Sequence, residues 1–471
     1  MNSKTINFLK NFSYTLASNL ISLLISTLVT LIIPRLIGVE EYGYWQLYLF
    51  YSSYLGFLHF GWIDGIYLRY GGDEYNELNR KLFFSQFIML LLSQLIIGMI
   101  IWISTSLIAS DMNRNFIVKM IALALVIVNS RAMILFILQA TNRIKDYARI
   151  TMLDRILYVI LIILFLMAGI RDYKLMITAD LIGKFLSLIF AMYCCKEIVF
   201  NKFSLFYFTI GETVANTCVG IKLMFANIAS ILIIGIIRLG IERTWDVATF
   251  GKVSLTLSIS NMTMLFINAV GIIMYPILRR TEIEKLPAIY TTMRDFLMVI
   301  LLGVLVIYYP VKTLMSAWLP KYAESLMYMA LVFPMFIYEG KMALLINTYL
   351  KTLRKEKVML KINLLSMVLS LILTLLTTQV LKSLDLTILN IVVLLIFRSI
   401  LAELYLARGL KISVKKDILL ELLLTAVFII SGWFVNSWYT VLIYIASYLL
   451  YIILKAKDVT MRLKSIKSLV I

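Results

Sequence analysis

Runs of about twenty apolar residues, the length needed to cross a bilayer core, recur from one end of this chain to the other. Hydrocarbon leaves the backbone no water to bond, so only helices and closed barrels can span it. A barrel would show runs of about ten residues alternating in polarity, and these runs are longer and uniformly apolar. The expected fold is therefore all-α and polytopic. Fourteen helices are expected, near 10–33, 46–66, 82–108, 117–140, 151–170, 174–195, 218–238, 248–276, 292–311, 323–349, 358–380, 387–407, 418–435 and 438–455. A break is expected near Asn268 to Gly271 of the eighth, and a kink at Pro334 of the tenth. Composition excludes the alternatives. Of 471 residues 62% are hydrophobic and 15% charged, too few charges for a soluble chain, and six prolines and twenty glycines are too few for a disordered or fibrous one. Residues Met1 to Lys10 lead into a full-length span without a small-residue cleavage site, so the first span is expected to stay in the mature protein.

A net charge of +19 would suggest nucleic acid as partner of a soluble protein. In a membrane protein the simpler reading is enrichment of Lys and Arg in cytoplasmic loops. With the N-terminus inside, loops holding Arg143, Lys145 and Arg149, then Arg279, Arg280 and Lys285, then Lys351, Arg354, Lys355 and Lys357 all fall inside. So do Arg408, Lys411, Lys415 and Lys416, and the tail with Lys455, Lys457, Arg462, Lys464 and Lys467. The tally is roughly 27 basic residues inside against roughly 9 outside, and an even number of spans puts both termini in the cytoplasm. Three cysteines, Cys194 and Cys195 adjacent, form no disulfide framework, and a lone histidine argues against a metal centre. No P-loop, G-x-S-x-G elbow or paired catalytic carboxylates stand out, so neither an ATPase nor another enzyme is expected, and no cofactor.

The opening stretch is repeated. Displaced by 208 residues, Asn19, Ser22, Leu24 and Ile25 fall on Asn227, Ser230, Leu232 and Ile233. Arg35, Gly43 and Tyr67 fall on Arg243, Gly251 and Tyr275, and Tyr42 on Phe250. An even number of helices separates the copies, so both enter the membrane in the same direction, a parallel repeat of the kind transporters use. The expected organisation is an N-lobe of six helices over 1–195, a cytoplasmic linker over 196–217, a C-lobe of six helices over 218–410, and an appended helix pair with a basic tail over 411–471.

Charges at bilayer depth are costly and by default line a cavity or pair with one another. Arg131 lies about nine residues from the inner end of the fourth span, near the midplane at about 1.5 Å per residue. Lys184 sits mid-way along the sixth span, Lys341 in the tenth and Arg398 in the twelfth. These four cations are expected to face one cavity and bind an anionic group, phosphate being well matched to Arg and Lys. Local pairing competes with that reading. Asp180 is one helical turn from Lys184, Glu339 is two residues from Lys341, and Glu403 lies near Arg398, whereas Arg131 has no acid within a turn of its own helix. His59 and Asp64 in the second span are candidates for proton coupling, against plain burial of a hydrogen-bonded histidine. The aromatic residues of that span, Trp45, Tyr48, Tyr51, Tyr54 and Trp62 among them, suit sugar rings as well as ordinary packing.

Two segments carry a family likeness. Pro34-Arg35-Leu36-Ile37-Gly38-Val39-Glu40-Glu41-Tyr42-Gly43 and the later Phe60-Gly61-Trp62-Ile63-Asp64-Gly65, followed by Arg69-Tyr70, resemble the opening of Wzx-type bacterial polysaccharide flippases. Those flippases belong to the multidrug/oligosaccharidyl-lipid/polysaccharide exporter superfamily. Their usual opening is a P-R-x-L-G-x-x-x-[YF]-G turn and then a D-x-G-like segment; here the order Gly-Trp-Ile-Asp-Gly departs from it at Asp64. The resemblance implies two six-helix lobes around a cavity that opens to either side in turn. It implies a cargo of undecaprenyl-diphosphate-linked oligosaccharide, moved from the inner to the outer leaflet of the cytoplasmic membrane for O-antigen or capsule assembly. A proton or sodium ion would drive the cycle, and a polymerase of the same pathway would take the product. Superfamily members that flip lipid II carry two extra C-terminal helices forming a lipid groove, a part the last two spans would play. The alternatives are a polymerase or ligase of the same pathway, disfavoured by outer loops of only about five to fifteen residues, and a multidrug antiporter, disfavoured by cations rather than acids at the midplane.

Overall fold

Every secondary-structure element among the described residues is helical. The computed structural model describes residues 3–108, 111–279, 283–435 and 438–470, without the side chains of 3–12, 15, 16, 108, 263, 265–279, 283 and 457–470. The first half of the chain forms α1 (Ser3–Leu36), α2 (Val39–Ser52), α3 (Trp62–Arg69), α4 (Arg80–Ile108), α5 (Met112–Ala140), α6 (Ile144–Met167), α7 (Tyr173–Cys194) and the single turn α8 (Lys196–Val199). Then come α9 (Ile210–Thr244), α10 (Val247–Arg279), α11 (Leu286–Val304), α12 (Tyr308–Trp318), α13 (Met329–Val332), α14 (Met335–Lys341) and α15 (Asn347–Thr352). The chain finishes with α16 (Glu356–Leu375), α17 (Leu384–Leu410), α18 (Lys415–Phe434) and α19 (Tyr439–Val470). Among the described residues twelve helices are long and apolar enough to cross a membrane, with α11–α12 and α13–α15 each counting as one interrupted span. Their outward faces are hydrocarbon: Ile96, Met99, Ile100 and Ile103 of α4 and Leu365, Ile372 of α16 are all exposed. A soluble domain seldom exposes a contiguous apolar band of this extent. The protein is a multi-pass membrane protein.

Several spans depart from the sequence expectation. The second is not one helix over 46–66. It breaks into α2, a 3₁₀ turn over Leu55–His59 and α3. The cause is local: Phe60 (φ 51°) and Gly61 (φ 81°) are consecutive left-handed residues, which no α-helix accommodates. The polar turn expected over 34–43 shrinks to Ile37 and Gly38, because α1 runs through Pro34 to Leu36 and α2 begins at Val39. Pro34 has no N–H to give the carbonyl four residues back, and α1 ends two residues later at Leu36. No break occurs near Asn268 to Gly271, where the α10 backbone is continuous; the side chains there lie outside the described residues. The kink at Pro334 is present, between α13 and α14, and a π-helical turn over Met342–Ile346 follows directly after Lys341. Part of the expected linker is helical, since α9 starts at Ile210.

The chain divides into two compact units, residues 1–228 and 229–471, with the boundary inside α9 rather than in the 196–217 segment. In the first unit α6 packs on α1 and α7, and α5 on α4 and α7. Its core joins Trp62, Ile63 and Ile66 of α3 to Phe87 of α4 and Ile134 and Ile137 of α5. In the second unit α14 packs on α10 and α17, while α19 lies on α11 and α18. The last two helices are thus built into the second unit rather than appended to it.

Cys195, just past the end of α7, is fully buried, and burial pushes its thiol up to about 11. With Cys194 and Cys218 replaced by Ser, maleimide labelling at pH 7.4 should be slow and rise about tenfold per pH unit up to pH 10, since the thiolate is the nucleophile. Mass spectrometry of labelled membranes reads the rate. Labelling as fast as an ordinary thiol of pKa about 8.5 would contradict the burial.

Candidate functional site

Each midplane cation of the sequence finds a partner, and three of the four partners come from another helix. In the first unit the Arg131 guanidinium on α5 meets the Asp154 carboxylate of α6 at 2.6 Å and donates to the Ser187 hydroxyl of α7 at 3.1 Å. Ser187 in turn donates to the Ile150 carbonyl at 2.9 Å. Gly183 lies at the contact: a Cβ there would stand 3.1 Å from the Asp154 carbonyl oxygen, so a larger residue would need α6 to give way by a few tenths of an ångström. The Arg131 Nε–H is buried and has no acceptor. A donor left unpaired in such surroundings costs about 1–3 kcal/mol, and an incoming anion would recover it.

Lys184 is paired with Asp180 one turn away on α7, the local alternative weighed from the sequence. Asp180 also accepts the Tyr48 hydroxyl of α2 at 2.6 Å. Trp45 stacks on Tyr48 and on Tyr158, both with ring centroids 5.9 Å apart, so the α2 aromatics form a wall beside this pair. His59 and Asp64 lie 3.8 Å apart across the break between α2 and α3, and the His59 Nδ1 is buried without a hydrogen-bond partner.

In the second unit the carboxylates pair differently from their order in the sequence. Glu339, two residues from Lys341, reaches Arg398 instead at 3.3 Å. Arg398 also donates from Nε to Asn363 of α16 at 2.9 Å and from a terminal nitrogen to Ser230 of α9 at 2.8 Å. Glu403, near Arg398 along α17, pairs with Lys341 and Arg294. Lys341 is 1% exposed and also meets Glu421 of α18 at 2.7 Å. Arg294 of α11 meets Glu421 at 2.6 Å and Asp417 at 3.6 Å. Lys455 of α19 meets Asp295 at 2.8 Å and pairs with Asp417. Seven ionisable side chains from five helices therefore form one buried network. The sequence reading placed Lys341 in an open cavity; the structure places it inside this network, because α18 supplies a glutamate at its height. Arg294, Asp295, Asp417, Glu421 and Asp154 belong to these ion pairs too, and each is a charge in or beside an apolar run, the same signal that the four cations carry.

Gly38 is the extended residue before α2, and Tyr42 and Gly43 are buried in that helix's first turns. Pro34 and Arg35 close α1.

The architecture has known counterparts. One solved structure, an inward-closed lipid II flippase MurJ, matches with a TM-score of 0.63 at 14% identity, covering 96% of this chain and all of that one. The fold is like one found in the MOP superfamily. An inward-facing multidrug MATE transporter of that superfamily matches with a TM-score of 0.61 at 12% identity, over 83% of this chain and 98% of its own. No family model matches the chain, and no curated protein matches it by sequence. At these identities the likeness concerns the MOP fold alone. The two counterparts are a flippase and a transporter rather than enzymes.

Proposed function

We propose that the protein is a flippase for an undecaprenyl-diphosphate-linked oligosaccharide, carrying it from the inner to the outer leaflet of the bacterial cytoplasmic membrane by alternating access. The product feeds O-antigen or capsule assembly, and both termini face the cytoplasm. The observation that carries this reading is Arg131: a guanidinium mid-way along an apolar helix, held by one carboxylate, with a buried donor still unsatisfied. In the first unit Arg131 and Lys184 bind the diphosphate by exchanging Asp154 and Asp180 for phosphate oxygens; in the second, Arg398 offers phosphate the same exchange against Glu339. Asp180 and Glu339 then act as gates, anions that hold the cations while the cargo is absent. Lys341, enclosed by Glu403 and Glu421, contributes field rather than contact. His59 and Asp64 take up the coupling proton. The lipid tail stays in the bilayer, as a superfamily fold shared with a lipid II flippase suits.

The MATE likeness favours a second reading, export of cationic drugs. A cation cargo needs acids without partners, and Asp154, Asp180 and Glu339 each already face a cation. The anionic cargo fits better.

Deleting the gene should leave lipid-linked repeat units accumulating on the inner leaflet, scored by their inaccessibility to a probe added outside intact spheroplasts. Single units reaching the outer surface unpolymerised would assign the protein to polymerisation and sink the flippase reading.

A further inference from the structure

At one end of the second unit the chain walls a cavity of about 290 Å³ between α12, α18 and the start of α19. Three apolar spans finish or begin there. The helix α12 closes the span Leu286–Trp318, Gly432 stands two residues from the end of Lys415–Phe434, and Thr440 is the second residue of Tyr439–Ala456. Span ends gathered at one level mark the layer where hydrocarbon gives way to lipid headgroups. The exposed side chains on these elements suit that layer, since Leu314, Phe434, Trp438 and Tyr439 are apolar or aromatic. The polar lining is one-sided. Lys312 brings an ammonium, and Tyr308, Tyr309, Thr313, Ser316 and Thr440 bring hydroxyls, while none of the described lining residues is a carboxylate. A wall with a cation and O–H groups but no anion matches an anionic ligand rich in acceptors. Tyr309 and Thr313 donate to the Thr440 and Tyr309 carbonyls at 3.2 and 3.1 Å, which braces the wall. Tyr308 differs: it is buried, and its hydroxyl has no hydrogen-bond partner among the described residues. A Cβ on Gly432 would stand 3.9 Å from that oxygen, and the Lys312 Nζ lies 5.9 Å from the centroid of the same ring. Cation and unsatisfied donor therefore meet at one side of the cavity.

We propose that this cavity binds the phosphate of an anionic glycerophospholipid, with Lys312 as its counter-ion and the acyl chains lying over Leu314 and Phe434. In the orientation proposed above, the lipid comes from the outer leaflet. Depth selects a lipid over a dissolved anion. A bilayer holds its phosphates at this layer, and the exposed apolar residues beside the cavity are covered by acyl chains, a gain that inorganic phosphate does not bring. A lysine that only snorkels from a span end needs neither a cavity nor a lining of hydroxyls. The inference concerns a lipid that stays rather than a cargo that moves, and it does not depend on the flippase reading.

The test uses the full chain with Cys194, Cys195 and Cys218 replaced by Ser and a bimane fluorophore on Leu442→Cys, an exposed position next to the lining residue Val441. The protein sits in nanodiscs of phosphatidylethanolamine. A minor fraction of phosphatidylglycerol, brominated on its acyl chains, should quench the label more strongly than the same fraction of brominated phosphatidylethanolamine. The preference should be roughly tenfold, the weight of hydrogen bonds to a charged group. Lys312→Met and the cavity-filling Ser316→Trp should each remove it, and Lys312→Arg should keep it, which tells loss of charge from loss of fold. Lys321→Met, at an exposed lysine just beyond α12, should leave it intact. No preference in the parent, or equal losses from Lys312→Met and Lys321→Met, overturns the site. Relief of quenching by inorganic phosphate, but not by chloride at equal ionic strength, would make this a site for a dissolved anion and overturn the lipid assignment. No cargo enters the measurement, so its failure and that of the flippase reading are distinguishable.

Discussion

Replacing Arg294 with Met should cost the second unit about 3–5 kcal/mol, the usual penalty for removing one partner from a buried ionic group. Arg294 has no exposed side-chain surface and serves Glu403, Glu421 and Asp417 together. Its loss leaves four carboxylates, Asp295 included, facing Lys341 and Lys455 only, in a medium where an unpaired charge has no water to turn to. The contrast is Arg80 with Glu197, a pair 2.6 Å apart whose side chains are 51% and 43% exposed. Removing that pair should cost less than about 1 kcal/mol. Heating detergent-solubilised protein and scoring the monodisperse fraction by fluorescence-detected gel filtration measures both. Equal losses would mean that the seven-membered network is hydrated and no more consequential than a surface pair.

Arg131→Ala should abolish surface polysaccharide while the protein remains in the membrane. The confounding effect is stability, because the substitution also strands Asp154, which is 5% exposed. A double variant separates the two. Arg131→Met with Asp154→Asn removes both charges, so the membrane level should recover, yet polymer should remain absent if the cation binds cargo. Asp154→Asn alone leaves the guanidinium charged and less occupied, and should keep export going. Normal polymer in the Arg131→Ala strain would remove this residue from the site, as would recovery of export in the double variant.

What could be read from the sequence follows the range of the forces involved. Apolar length is a local property, so the spans and the all-helical architecture were legible. Interruptions were legible only where a residue enforces them. Pro334 announced its kink, while Phe60 and Gly61 gave no warning, since a single glycine in an aromatic run does not reveal the sign of φ. Ion pairing was the least legible. Distance along the chain suggested Glu339 for Lys341 and Glu403 for Arg398, and the structure exchanges them because helical rotation, not sequence separation, sets which side chains face. Asp154 shows the same limit: its partner lies on the preceding helix, and no spacing rule within one helix could connect them.

The division between the two units at Ile228 and Ala229 gives α9 a mechanical character. At about 1.5 Å per residue its 35 residues make a rod of about 52 Å, cross-braced by backbone hydrogen bonds at every turn. A loop at the boundary would absorb torque; a continuous helix hands it on. Ser230, two residues past the boundary, holds Arg398. α9 is thus one stiff element that begins in the first unit and, in the second, places the Ser230 hydroxyl on the Arg398 guanidinium.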